Sequence, residues 1–288
     1  MSGDNSHLEC RREVARRVAS ALEKLPEVIG VYVFGSAATG YADEYSDVDI
    51  GVVCKHEVPT LSARQEALSS IGTEWRFDDD TWSSPLFEAY DSSGIVDGIT
   101  VEVHYNTPAL VSEVLDTVIA KGALATERFP SRPYRLGALI QRAWVILDRE
   151  GMFPLWRKQV QNYPLALKQN ILRHYLPLLK DCVDELNRTT RRHLGPLMVN
   201  FFLFHGMQAL YSLIFALNET YDPTDRRAEK TVIPTLSNVP REFVPRLRLV
   251  LEGPFDDLNA VECARHFEEL AADIISMAEA QLMGDDQQ

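Results

Sequence analysis

Two short apolar segments, separated by a polar one, constrain the fold of this chain more than any other feature. Residues 28–34 (VIGVYVF) are rich in β-branched side chains and end at Gly35-Ser36. Ten residues later, Asp47-Val48-Asp49 opens a second apolar run that continues to Val53. Apolar runs of this length, bounded by turn residues, are typical of buried β-strands. The sequence therefore predicts a strand that runs into a Gly-Ser turn, followed by a strand that begins at an Asp-x-Asp pair.

The rest of the first half alternates between strand and helix patterns. Further strands are expected at residues 99–105 (ITVEVHY) and 143–147 (AWVIL). Three-to-four-residue apolar spacing and Pro positions predict helices at residues 7–25, 59–71 and 106–119. Thr107 is the expected N-cap of the last of these helices, with Pro108 in its first turn. The acidic run Asp78-Asp79-Asp80 is expected in a loop, either as a solvated turn or as part of a site for a cationic acceptor.

The second half shows only helical periodicity. Helices are predicted at residues 164–186, 195–217, 241–251 and 257–282. The fold class that follows is α+β, with a small mixed sheet and flanking helices in residues 1–152 and an all-α bundle in residues 153–288.

Charge and composition narrow the possible partners. The 288 residues have a net charge of −13, of which −10 falls in residues 1–154. Such a surface repels phosphodiester backbones and disfavours long nucleic acid, whereas it suits cationic small molecules or metal ions. The longest apolar runs are interrupted by polar residues and the first residues contain no apolar signal core, so we expect no membrane span and a cytoplasmic protein. The oligomeric state stays open.

The Asp-x-Asp pair is the first candidate for chemistry. Residues two apart in a strand point to the same face, so Asp47 and Asp49 project together while Val48 and Ile50 point into the core. Two adjacent carboxylates repel each other unless a cation lies between them. Oxygen ligands of this kind suit Mg²⁺.

A third acidic residue lies on another predicted strand. In residues 99–105, Glu102 and His104 share one face of the strand. If this strand lies beside residues 47–53, Glu102 joins Asp47 and Asp49 in a layout typical of two-metal phosphoryl or nucleotidyl transfer. Asp97 is the alternative third carboxylate, although it precedes Gly98 in an expected turn. His104 is expected either to contact an acceptor or to have a structural role.

The Gly-Ser turn is suited to phosphate binding. Gly35 allows close approach of the backbone, and Ser36 can donate from its hydroxyl and its amide. Residues 35–40 (GSAATG) also have the spacing of a P-loop, but Tyr41-Ala42 stands where that motif needs Lys and Ser or Thr. The sequence therefore excludes a P-loop NTPase.

Together, these motifs resemble those of a known superfamily. The Phe-Gly-Ser at residues 34–36, followed after ten residues by Asp-Val-Asp-Ile, is similar to the signature of DNA polymerase β-like nucleotidyltransferases. Residues 145–151 (VILDREG) and 216–230 (ALNETYDPTDRRAEK) favour the branch of aminoglycoside and lincosamide nucleotidyltransferases.

This resemblance implies an activity and a set of residues. It implies a Mg²⁺-dependent enzyme that moves a nucleoside monophosphate, AMP from ATP, onto a hydroxyl of a small molecule and releases pyrophosphate. An antibiotic is a candidate for this small molecule. It implies that Asp47, Asp49 and Glu102 are the catalytic residues and that the same three residues bind two metal ions. The implied contacts to the nucleotide are Gly35, Ser36, Arg227 and Lys230, with Arg226 as a further basic neighbour.

Other functions remain open at this stage. The same chemistry could modify a protein or a tRNA, as in toxin systems, and Arg188, Arg191 and Arg192 could form a local basic patch for an RNA. A non-catalytic nucleotide-binding module is the alternative from a different class, although it has no need for three carboxylates. The Arg188–His193 segment also has the RxxxxH spacing of a class of helical ribonucleases, but it is expected in a loop between helices.

Overall fold

A computed structural model describes residues 5–79, 86–124, 134–223, 228–251 and 257–285. The described residues form two compact units, one made of those up to residue 119 together with residues 134–162, and the other of residues 120–124 and those from residue 163 onwards. The predicted boundary at residue 152 falls at the start of the last helix of the first unit.

The first unit combines one sheet with helices. Its strands are β1 (Val28–Phe34), β2 (Val48–Cys54), β3 (Thr73–Asp79), β4 (Tyr90–Val96), β5 (Ile99–Asn106) and β6 (Trp144–Asp148). Its helices are α1 (Asn5–Leu22), α2 (Gly35–Thr39), α3 (Leu61–Ser69), α4 (Pro108–Glu113), α5 (Arg135–Arg142) and α6 (Met152–Gln159), and a π-helical turn follows α4 at Val114–Ala120.

The six strands form one mixed sheet in the order β3-β4-β5-β2-β1-β6. Strands β2 and β5 are parallel, and the other neighbouring pairs are antiparallel. The predicted fold class is therefore confirmed, and the strands predicted at residues 28–34, 47–53, 99–105 and 143–147 are all present within one residue of their expected bounds.

One face of the sheet is buried against helices. Alternate residues of β2 and β5, such as Val48, Ile50, Val101 and Val103, are inaccessible to solvent and pack with apolar residues of α1 and α3. The period of two in these strands places the intervening side chains on the opposite face. The polar and titratable side chains of these strands therefore lie on the face away from this core.

Two strands and a loop differ from the sequence-based expectations. Strands β3 and β4 were not predicted, because β3 is mostly polar and β4 contains Ser-Ser-Gly, which is typical of a turn. The expectation of a loop at residues 78–80 is wrong for Asp78 and Asp79, which end β3, and Asp80 lies outside the described residues. Thr107 is confirmed as an N-cap, since its hydroxyl accepts a hydrogen bond from the amide of Leu110.

The described part of the second unit is helical. It contains α7 (Leu165–Arg191), α8 (Pro196–Leu217), α9 (Ala228–Thr231), a 3₁₀ turn (Ile233–Thr235), α10 (Phe243–Leu251) and α11 (Asp257–Asp285). The loop expected at Arg188–His193 is wrong in part, since Arg188 and Arg191 are in the last turn of α7.

Helix α8 is the most apolar of these helices. Among the described residues, it alone is long and apolar enough to cross a membrane by length and composition. This is weak evidence for a span, because a buried core helix passes the same test. Much of α8 is buried against α7 and α11, including Leu210, Leu213 and Ile214, which identifies a packing role for one of its faces.

Candidate active site

The site is built where β2 and β5 lie side by side. Their parallel register makes Asp49 and Glu102 Cα partners, and His104 follows two residues later on the same face of β5. One ligand-capable atom from each of these three side chains lies within 4.8 Å of the other two. The sheet register thus brings the Asp49 carboxylate together with the Glu102 carboxylate and the His104 imidazole, which follow it by 53 and 55 positions in the chain.

Asp47 lies just before the first residue of β2 and outside this group of three. It is half-buried, and its charge acts on Asp49. The site therefore has three acidic side chains, but only two of them share the compact group with His104.

The carboxyl of Asp49 is held in an unfavourable setting for a negative charge. Burial raises its pKa most, and the neighbouring charges of Asp47 and Glu102 raise it further. His104 and Arg135 act in the opposite direction, and the resulting pKa is about 7, against an ordinary value of 3.8. A bound cation would relieve this repulsion and favour the ionised carboxylate.

His104 is fixed by partners on both sides. Its Nδ1 lies 2.6 Å from Asp91 Oδ1 on β4, and its Nε2 lies 3.7 Å from Glu102 Oε2. Burial by itself lowers the pKa of His104, but these carboxylates outweigh it and raise the pKa to about 9. The imidazole is therefore a cation at neutral pH.

Two aromatic rings complete the surroundings of His104. The ring of Phe87 stacks on the imidazole with a centroid distance of 4.8 Å, and Phe34 contacts both rings. The sequence pattern puts His104 on the same face of its strand as Glu102, but it does not identify His104 as a ligand. The signal was the alternation of Glu102, Val103 and His104, which could not show that Asp91 would pair with the ring.

Gly35 approaches Asp49 so closely that a side chain at this position would displace the Asp49 carboxylate. A Cβ at this position would lie 2.0 Å from Asp49 Oδ2, and Gly35 has a φ of +67°, in the left-handed region. Both facts favour glycine. The Gly-Ser turn is thus in direct contact with the acidic group.

Ser36 provides an unused polar group beside it. Its hydroxyl oxygen is buried and has no hydrogen-bond partner among the described residues. A buried hydroxyl without a partner is costly, so such groups are commonly explained by a ligand or ion that supplies the missing bond.

The donor set fits a divalent metal ion. Asp49 and Glu102 offer the oxygen ligands that Mg²⁺ prefers. Burial and then the charges of Asp47 and Glu102 raise the pKa of Asp49, and a bound cation would offset both effects on the ionised carboxylate. His104 adds a nitrogen donor only when it is deprotonated. The residues present are therefore compatible with a metal held mainly by carboxylates.

The alternative third carboxylate, Asp97, does not join the acidic group. Asp97 is in the turn between β4 and β5 with a φ of +51°, and it forms an exposed ion pair with Arg17 instead of joining Asp49. Lys230 is exposed on α9 in the second unit. Arg226 and Arg227 lie outside the described residues.

Comparisons with known proteins agree with this geometry. Residues 15–84 match the model of a family described as the nucleotidyltransferase domain. This range contains Gly35, Ser36, Asp47 and Asp49, and it spans less than half of the chain. This match to part of the chain supports a transferase that moves nucleotidyl groups.

The other comparisons add less. No curated protein matches the chain. Among solved structures, the chain is similar to a nucleotidyltransferase-like protein from Exiguobacterium sibiricum 255-15, with 13% sequence identity and a TM-score of 0.42 over 94% of this chain and 77% of that one. A likeness at this level carries no inference about function.

Proposed function

We propose that this protein is a Mg²⁺-dependent nucleotidyltransferase that moves a nucleoside monophosphate, AMP from ATP, onto a hydroxyl group of a small molecule. The observation that carries the proposal is the pairing of Asp49 with Glu102 across β2 and β5, directly beside Gly35-Ser36. The match of residues 15–84 to the nucleotidyltransferase domain family supports the same reaction.

Asp49 and Glu102 would hold the metal, with Asp47 as the additional carboxylate. When bound, Mg²⁺ supplies positive charge that neutralises the α-phosphate and the leaving pyrophosphate. The resemblance to polymerase β-like enzymes favours two ions, and the three acidic side chains provide enough oxygen ligands for both.

The Gly-Ser turn would position the triphosphate. Ser36 would donate its hydroxyl hydrogen to a phosphate oxygen, which satisfies a group that is otherwise buried without a partner. Gly35 leaves room for the phosphate and for the Asp49 carboxylate at the same point of the chain. Lys230 and Arg227 remain predicted contacts to the nucleotide.

Glu102 is the proposed acceptor of the proton. The acceptor oxygen forms a bond to the α-phosphorus, the bond from that phosphorus to the pyrophosphate oxygen breaks, and the hydroxyl proton passes to the Glu102 carboxylate. His104 is proposed as a positioning residue and not as this base, because both of its ring nitrogens face carboxylates, Asp91 and Glu102. The short contact with Asp91 fixes the imidazole of His104, and the Nε2 of the fixed ring then holds the Glu102 carboxylate in place.

The acceptor is proposed to be a cationic small molecule. Beyond Glu102, the same face of the sheet continues through His104 and Asp91 to Asp78, which is the Cα partner of Asp91 on the edge strand β3. These carboxylates would attract amino groups of an acceptor that also carries a hydroxyl. Amine-bearing antibiotics have this chemistry, and they are the first acceptors to test.

Mass spectrometry tests the proposal. The protein is incubated with Mg²⁺, each of the four NTPs and a panel of aminoglycosides and lincosamides, with Asp49→Ala and Asp97→Ala assayed in parallel. We expect one drug to gain the mass of a nucleoside monophosphate with the wild type and with Asp97→Ala, which changes an acidic residue outside the site. No gain is expected with Asp49→Ala.

Two results would contradict the proposal. Equal product with Asp49→Ala would show that the β2–β5 carboxylates do not carry the reaction. Unmodified drugs together with labelling of tRNA or of a protein by α-³²P-ATP would replace the small-molecule acceptor with a macromolecule while retaining the nucleotidyl chemistry.

A further inference from the structure

The outer surface of the hairpin formed by α7 and α8 has no role in the proposed reaction, and it is unusually apolar. Exposed apolar side chains follow one stripe of α8, namely Leu197, Phe201 and Phe204, with 80%, 51% and 52% of their surface exposed. They stand four and three residues apart, which places them on one helix face. The opposite face of α8 is buried, so the exposed stripe is in excess of what packing requires.

Charge is distributed unevenly around this stripe. No acidic residue occurs between Glu185 and Glu219, in a chain with 42 acidic residues. Arg191 and Arg192, at the end of α7, are exposed and form no ion pair with any described residue. Earlier on α7, Asp181 and Asp184 are also exposed, and they too form no ion pair with any described residue. Along α7 the exposed charges therefore change from acidic at Asp181 and Asp184 to basic at Arg191 and Arg192, while the exposed stripe of α8 is apolar.

The level of these groups along the hairpin can be derived from one contact. A Cβ on Gly206 of α8 would lie 3.3 Å from the Cβ of Cys182 on α7, and the short connection between the helices makes them antiparallel. With equal rise along both helices, Phe201 is level with Asn187. Relative to that level, Asp184 and Arg191 lie at nearly equal distances on opposite sides.

The apolar stripe has the same symmetry. Leu197 and Phe204 lie one helical turn before and after Phe201. A two-fold axis at the level of Phe201 would thus place Leu197 of one copy opposite Phe204 of the other. It would likewise place the acidic residues of each copy opposite the basic residues of the other. Such a surface is complementary to itself, which is the requirement for an interface between identical subunits.

We propose that the outer surface of the α7–α8 hairpin binds the same surface of a second copy of this chain in an antiparallel arrangement. Phe201 packs at the centre of this interface, and Arg191 and Arg192 pair with Asp184 and Asp181 of the second copy. An anionic membrane or an RNA fits less well, because Asp181 and Asp184 would face its phosphates. The proposal is independent of the catalytic reaction.

The solution mass tests the pairing. Sedimentation equilibrium of the full chain is expected to give twice the monomer mass of 32.5 kDa at micromolar concentration. The double variant Leu197→Ser and Phe201→Ser is expected to raise the dissociation constant by about tenfold or more. Leu249→Ser is the matched control, since Leu249 is 49% exposed on α10 of the same unit, and it is expected to leave the dimer intact.

Charge reversal tests the antiparallel arrangement. One variant carries Arg191→Asp and Arg192→Asp, and the other carries Asp181→Arg and Asp184→Arg. Each alone is expected to be a monomer, because like charges then meet at both ends, and an equal mixture is expected to form a heterodimer. Circular dichroism and thermal unfolding establish that each variant is folded before its mass is interpreted.

Three results would overturn the proposal. The first is a wild-type mass of one chain at every concentration. The second is a dimer that survives both the serine and the charge-reversal variants. The third is a monomer that binds phosphatidylglycerol vesicles or tRNA, with binding lost in the double serine variant, which would assign the hairpin surface to a different partner.

Discussion

The contact between Gly35 and Asp49 allows a sharp prediction about the site. In Gly35→Ala, the new Cβ would lie 2.0 Å from Asp49 Oδ2, where real contacts begin at about 3 Å. The carboxylate must therefore move by about 1 Å, and changes that disturb the support of a metal ligand cost roughly 10–100-fold in metal affinity. We expect the affinity for Mn²⁺, used as a probe of the metal site, to fall by about that factor.

Backbone strain must be separated from this steric effect. Gly35 has a φ of +67°, and an alanine in the left-handed region costs about 1–2 kcal/mol. Gly40 provides the control, because its φ is +84° and no atom lies within 4 Å of its Cβ position. Gly40→Ala is expected to lose similar stability, a decrease of a few degrees in Tm, while its metal affinity stays at the wild-type level.

Isothermal titration calorimetry with Mn²⁺ and thermal unfolding of the metal-free proteins measure the two effects. The reasoning is refuted if Gly35→Ala binds Mn²⁺ as tightly as the wild type. Equal losses of Mn²⁺ affinity in both alanine variants would also refute it, because strain alone would then account for the result.

Three further predictions follow from the same contacts. Asp49→Asn removes a buried charge, so it is expected to raise the stability of the metal-free protein at pH 8 by about 2 kcal/mol. The same variant is expected to lose the stabilisation by Mn²⁺, and a Tm still raised by Mn²⁺ would contradict the assignment of Asp49 as a metal ligand. The raised pKa values of Asp49 and His104 contribute stability at low pH that is lost as pH rises, between 3.8 and about 7 for Asp49 and between 6.5 and about 9 for His104. The Tm in EDTA should therefore fall across both windows, and Asp49→Asn should remove the part of the fall below about pH 7. Thr107→Ala removes the N-cap of α4 and a 2.7 Å hydrogen bond to Glu88, which should cost about 1–2 kcal/mol in urea unfolding; an unchanged midpoint would show that the cap is dispensable.

The local pattern was sufficient for several strands but not for all. Strand β1 and strand β2 have continuous apolar runs, and β5 alternates strictly, so each could be read from its own residues. Strand β4 could not, because Asp91, Ser92, Ser93 and Gly94 favour turns, and they are extended only because β3 and β5 supply hydrogen bonds on both sides. Helix α2, with five residues, is too short to show periodicity.

The candidate site, like the strands, was predictable from the sequence only in part. The sequence alone determined which residues have the right chemistry and which face of each strand they occupy, because side chains alternate with a fixed period of two. Only the tertiary structure decided that Asp49 stands opposite Glu102 instead of Asp97, and that His104 is held between Asp91 and Glu102. The register of a parallel pair depends on hydrogen bonds between segments far apart in the chain, and neither segment contains that information by itself.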